Sequence, residues 1–205
     1  MSEQVAGNET NKVIEVNSDG VPAGVERQCT PLQSAILRES KWVTDYVREN
    51  CFKYGDAPMN PPINHDAKLV SCDRLVDWVM YRVGYTDQVE RQGMVVYHAT
   101  EQKRDLPGWC VLQGFERIED VSMLEPGDIV FVHPHTSAAG GVYPGHTFIF
   151  AGFGADEGYS YRYDCGKDER IQSVQPFYEP LINFMFAYRP KQIASEAEEQ
   201  SVMEN

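Results

Sequence analysis

Basic side chains are scarce: 18 Lys and Arg stand against 31 Asp and Glu in 205 residues, a formal charge of -13. No block of clustered Lys and Arg overrides that sign, so the chain repels phosphate backbones and anionic headgroups. Nucleic acid and membrane surfaces are therefore not expected partners. Long apolar runs are missing too. No window approaches the roughly 18 consecutive apolar residues of a membrane-spanning helix. The opening MSEQVAGNETNKVIEV has neither the basic start nor the apolar stretch of a signal peptide. The expectation is a chain that is cytoplasmic at synthesis and is released, if at all, by lysis or a non-Sec route. Cysteines are few and odd in number, at 29, 51, 72, 110 and 165, without CxxC or zinc-ribbon spacing. That excludes a full disulfide framework and a structural zinc site. Phosphate-loop and dinucleotide fingerprints are absent, as is any internal repeat.

What remains is a folded middle between two polar tails. Residues 1–28 and 192–205 are poor in large apolar side chains and read as disordered, and the tails hold seven of the thirteen excess negative charges. The domain is expected over 29–191, as a monomer. Thr30, Pro31 and Gln33 form an N-cap, a first-turn proline and a capping box, opening a helix over 31–49. Ser71 is placed to cap a second helix whose apolar residues Leu75, Val76, Val79, Met80 and Val83 share one face before a stop at Gly84. Weaker signals suggest short helices over 87–102 and 106–113, with Gly114 as terminator. From there GFERI, DIVFV, HTFIFAG, YSYRYD, RIQSV and FMFAYRP are short β-prone runs divided by Pro, Gly and Asp. Helices first and strands afterwards predict an α+β domain, helices packed on an antiparallel sheet or small barrel of five or six strands.

Three residues carry the chemistry. Cys72, in the first turn of the second helix, faces unpaired N–H groups and the positive end of the helix dipole, which favour a thiolate and can receive an oxyanion. His146 opens a strand just after Gly145 and alternates with Phe148 and Phe150, so it shares their face. Asp164 ends the next strand, and a hairpin between the two would bring it to His146 as an orienting group. Singly, each has a plain structural reading: a packed thiol, a turn histidine, a turn-forming aspartate. Together they outline a nucleophile, a base and its holder.

The strings SCDRLVDWVMYRVGY, LEPGDIVFV and GHTFIFAG, in that order, resemble the NlpC-like cell-wall cysteine peptidases and their CHAP amidase relatives over roughly residues 50–190. The resemblance implies a papain-like fold and a thiol hydrolase that cleaves a peptide or isopeptide amide, in peptidoglycan stem peptides or a related peptide, without cofactor or metal. It places Cys72 as nucleophile, His146 as base and Asp164 as orienting residue. Tyr54, Asp73 and Arg74 are carried as substrate contacts. The chain departs from the family around the nucleophile, where Ser71 stands for the usual Asp and Asp73-Arg74 for Ser-Gly. The insertion HPHTSAAGGVY reads as a flap beside the cleft.

Two other readings stay open. His133, His135 and His146 could hold a divalent metal in a cupin-type barrel, although Pro134 puts the H-x-H pair at a strand end. The same fold could also bind a peptide or glycan without cutting it.

Overall fold

The computed structural model describes residues 15–23, 25, 29–55, 68–85, 106–136, 142–143, 145–154, 160–165, 171–176 and 183–192. Helix α1 runs Pro31–Glu49 and opens as expected: Thr30 Oγ1 accepts from the Gln33 N–H at 3.2 Å, and the Gln33 side chain accepts from the Thr30 N–H at 2.8 Å. Its buried stripe includes Ile36, Leu37, Val43 and Val47. The buried hydroxyls of Ser40 and Thr44 in that stripe donate back to Ile36 O and Ser40 O, so both are satisfied within the helix. Helix α2, Cys72–Val83, stops at Gly84, whose φ of 111° a side-chain-bearing residue rarely adopts. Helix α3 covers Leu106–Leu112; the helix expected over 87–102 lies outside the described residues.

All six expected runs are strands: β3 (Glu116–Ile118), β4 (Ile129–Val132), β7 (His146–Phe153), β8 (Ser160–Cys165), β9 (Ile171–Pro176) and β10 (Phe184–Arg189). They form one antiparallel sheet in the order β3-β10-β4-β7-β8-β9. The domain is thus α+β, with helices packed on an antiparallel sheet. Two-residue pairs were not foreseen. Strand β1 (Lys53–Tyr54) runs parallel to β2 (Leu69–Val70), and β5 (His135–Thr136) pairs with β6 (Val142–Tyr143), bracketing the expected flap.

Period-two alternation divides the sheet's side chains between two apolar clusters. Ile129, Ile149, Ala151, Tyr163 and Cys165 pack with α1 and α2. Val130, Val132, Phe148, Phe150 and Ala187 form the second cluster with Ile118 and Leu124. His146, two residues before Phe148, belongs in register to that second face.

The N-terminal boundary needs correction. Residues 15–23 are not a loose tail: Val16 bridges Pro22, Val16 and Val21 pack against the helical core, and Tyr163 Oη donates to Gly20 O at 2.5 Å. A Cβ on Gly20 would lie 2.5 Å from Leu37 O, and its φ is +76°, so only glycine brings the turn this close to α1. Small polar residues hid this contact, because the segment is tied down by one backbone carbonyl and two valines rather than by an apolar run.

Candidate active site

Cys72 is the first residue of α2 and is partly exposed, beneath a helix that packs across β7 and β8. Ser71 takes the extended N-cap conformation, yet its hydroxyl donates to the Asp73 carboxylate instead of capping a helix N–H. The first-turn N–H groups of α2 therefore lack the usual side-chain cap. On the other side, the β1–β2 pairing sets Tyr54 beside Cys72: its hydroxyl lies 3.8 Å from Cys72 Sγ. Burial first, and then the charge and hydrogen bond of Cys72, push the Tyr54 phenol well above its ordinary range. Tyr54 thus stays protonated and is the donor when Cys72 carries charge.

The β7–β8 hairpin does what its spacing predicts. The register that pairs Ile149 with Tyr163 brings the start of β7 to the end of β8. His146 Nε2 lies 2.6 Å from Asp164 Oδ1, with the histidine side chain 19% exposed and the aspartate 2%. Burial opposes the charged ring. The Asp164 carboxylate, the charge of Cys72 and hydrogen bonds to both outweigh that and raise His146 to about 10. The ring is therefore an imidazolium at neutral pH, held through Nε2 against Asp164 and favoured in its charged form by Cys72. Burial alone would raise Asp164; the charges of His146 and Arg162 and the bonds it accepts hold it below the ordinary carboxylate range.

The structure thus brings Tyr54, Cys72, His146 and Asp164 into one contiguous cluster. It does not bring Asp73 and Arg74 to a surface that a substrate meets. Asp73 is 3% exposed and Arg74 1%, and the Arg74 guanidinium pairs with buried Asp77 at 3.3 Å. The helical pattern conceals this, because a charged residue in a first turn ordinarily reads as solvated. Their expected role as substrate contacts is replaced by one inside the base of α2.

Two neighbours escaped the sequence reading. Arg162 Nε lies 3.1 Å from the other oxygen of Asp164, and its guanidinium stands 5.3 Å from the centre of the Phe148 ring. Its position two residues before Asp164 on a strand, and so on the same face, was the available signal. Cys165 projects to the helical face and is fully buried; burial, then Cys72, Asp164 and Asp73, raise its thiol far above the ordinary range. No disulfide joins the five cysteines, and Cys51 is exposed.

The Pro-Gly-Asp turn before β4 serves another purpose. Asp128 accepts both a fork from Arg189, at 3.0 Å to each oxygen, and the Glu125 N–H at 2.8 Å. That corner borders an open cavity of about 250 Å³, also lined by Thr30 and Gln33. None of Cys72, His146 or Asp164 lines it, and its polar groups are engaged with one another, so the chemistry is not sought there. For the metal reading, His133 is exposed and its backbone N–H donates to Asn183 O at 2.9 Å; the side chain of His135 lies outside the described residues. Among the described residues no group of three or more His, Cys, Asp or Glu is placed to hold a metal ion. Nor, among them, is any helix long and apolar enough to cross a membrane.

Comparison with known proteins gives no matching family model, no matching curated protein and no matching solved structure.

Proposed function

We propose that the protein is a thiol hydrolase of papain-like architecture, related to the NlpC-like and CHAP-like peptidases and amidases, that cleaves a peptide or isopeptide amide through a Cys72–His146–Asp164 triad. The observation that carries this reading is the charge-assisted contact of 2.6 Å between His146 Nε2 and a shielded Asp164, on a ring whose charged form is also favoured by the cysteine at the start of α2. A buried carboxylate fixed to one ring nitrogen orients the imidazole and favours its charged form, which in turn favours a thiolate partner.

In the reaction, the Cys72 thiolate attacks the scissile carbonyl carbon and the carbonyl π electrons move to oxygen. The oxyanion is received by uncapped first-turn N–H groups of α2 and by the protonated Tyr54 hydroxyl. His146 then gives its proton to the departing amine as the C–N bond breaks, leaving an acyl-thioester. Water, deprotonated by the now neutral His146, hydrolyses that thioester and restores the thiolate–imidazolium pair. Asp164 orients the ring and keeps its own charge. No cofactor enters these steps. The expected substrates are stem peptides of peptidoglycan and their fragments, taken from solution by a monomer.

Incubation with purified peptidoglycan and with a panel of acyl amides, followed by mass spectrometry of the products, tests the reading. New amine and carboxylate termini with the wild type, absent with Cys72→Ala, support it. Binding of stem peptides without cleavage assigns the same cleft to a non-catalytic module. Full turnover by Cys72→Ala overturns the covalent route.

A further inference from the structure

Asp164 is shared. Its Oδ1 meets His146 and its Oδ2 meets Arg162, at 2.6 and 3.1 Å, and the carboxylate side chain is 2% exposed. Arg162 and Asp164 stand two apart on β8 and so on one face. Phe148 is two residues from His146 on β7 and lies under the guanidinium at 5.3 Å. The arginine is thus held between an aromatic ring and the back of the carboxylate that grips the base. A planar guanidinium suits that place: it stacks on a ring and presents N–H groups in the plane of a carboxylate.

We infer that Arg162 is a positioning residue, which fixes Asp164 as an oriented carboxylate and so sets the acid edge of the pH range in which the Cys72–His146 pair works. This rests on the reading of those residues as a catalytic pair. A buried carboxylate with a single cationic partner loses that partner's support as soon as it is protonated, and burial favours the protonated form. A second, permanently charged partner keeps Asp164 ionised at mildly acid pH, where a cell-wall or turnover peptidase would still need its base aligned. The groups that face this pair come from several elements. Among the described side chains they are Tyr54 of β1, Cys72 and Asp73 of α2, and Arg162 and Cys165 of β8. Among these described groups Arg162 is the permanent cation; the acidic members would all work the other way.

The test uses the full chain and two readouts. The first needs no substrate: the ring-carbon resonance of His146, assigned by its loss in His146→Ala, is followed by NMR from pH 3 to pH 8, where it senses the protonation of Asp164. In Arg162→Gln the acid-side inflection is expected to rise by about one pH unit. In Arg162→Lys, which keeps the charge and loses the planar guanidinium, it is expected to stay within a few tenths of the wild type. The second readout is kcat/KM against pH on whichever amide the wild type cleaves. There Arg162→Gln should lose about tenfold at the acid edge and recover towards pH 8, because the defect is one of protonation. An unmoved inflection in folded Arg162→Gln overturns the inference. So does a shift of a full unit in Arg162→Lys, which decides the matter if Arg162→Gln does not fold. Failure of the peptidase reading shows separately, as absent turnover in the wild type with the NMR shifts unaffected.

Discussion

Asp164 and Asp128 are both shut away from solvent and both meet an arginine, yet they settle on opposite sides of the ordinary carboxylate range. Asp164, 2% exposed, is held low, whereas Asp128, 1% exposed, is pushed up by burial to about 6 despite the bonds from Arg189. Partner counting explains the difference. Asp164 is one acid between two cations, His146 and Arg162. At the other corner one cation is divided between two acids: Arg189 forks to Asp128 and also lies 3.4 Å from Glu125. Desolvation acts on both carboxylates alike, and the ratio of nearby charges decides which form wins. One corner therefore holds the His146 imidazole in its charged state. The other closes a turn, joining the start of β4 to the end of β10.

The largest expected effect separates the corners by function. Cys72→Ala and His146→Ala should each lower kcat/KM by about 10⁴-fold or more, and the double variant should lose little beyond either, since residues acting as a unit are strongly non-additive. Asp128→Asn, assayed alongside, should stay within about twofold of the wild type. A loss there comparable to His146→Ala would merge the two corners into one site.

A middle-sized effect is expected at Asp164. Asparagine keeps an oxygen to accept from Nε2, so Asp164→Asn should cost less than His146→Ala, at most about 10⁴-fold. It removes a carboxylate that raises the imidazole. The stabilisation from a charged His146 is fully present below about pH 6.5 and is lost as pH rises through about 10. In Asp164→Asn that loss, and the alkaline limb of activity or of Cys72 alkylation, should move down by at least one pH unit. An alkaline limb unchanged by the substitution would show that Asp164 does not govern the ring.

The third effect concerns stability at the N-terminal turn. A chain beginning at residue 26 should melt several degrees below one beginning at residue 15, because Val16 and Val21 leave the core and the Tyr163 hydroxyl loses the Gly20 carbonyl. Tyr163→Phe in the full chain isolates the hydrogen bond and should cost about 1 kcal/mol in denaturant unfolding. Equal melting of the two truncated chains would return residues 15–25 to the status of a tail.

The legible parts of this protein are those with a strong local signal. The Thr30 capping box, the Gly84 stop and the six β-prone runs each depend on a few adjacent residues, and all appear where expected. The contact between His146 and Asp164 was legible because a hairpin of known strand ends fixes which residues meet. Arg74 and Asp73 misled because they meet an ion-pair partner and a hydroxyl inside the fold, and pairing within a helix leaves no trace in periodicity. The β1–β2 pairing that delivers Tyr54 joins two dipeptides across a loop, too short a pattern to carry a signal. Arg162 went unnoticed because its meaning lies in the second oxygen of a residue that already had a role.

The smallest effect sharpens the comparison most. Asp128→Asn removes a carboxyl that binds its proton more tightly in the folded chain than in the unfolded one, since its folded value is about 6 against an ordinary value near 3.8. Such a group contributes stability that is fully present below its unfolded value and is lost as pH rises through the folded one. The melting temperature of the wild type relative to Asp128→Asn should therefore fall from pH 4 to pH 6 and level off above it. Asp164 has the opposite sign: its value is depressed, so its contribution is present above the ordinary carboxylate value and is lost as pH falls through the lower folded one. Relative to Asp164→Asn, the wild type should consequently gain stability as pH rises from about 3 to 5. Scanning calorimetry of the three proteins over that range should give difference curves of opposite slope. Parallel slopes would mean that the shared arginine of one corner and the doubled cations of the other do not set the two carboxylates apart.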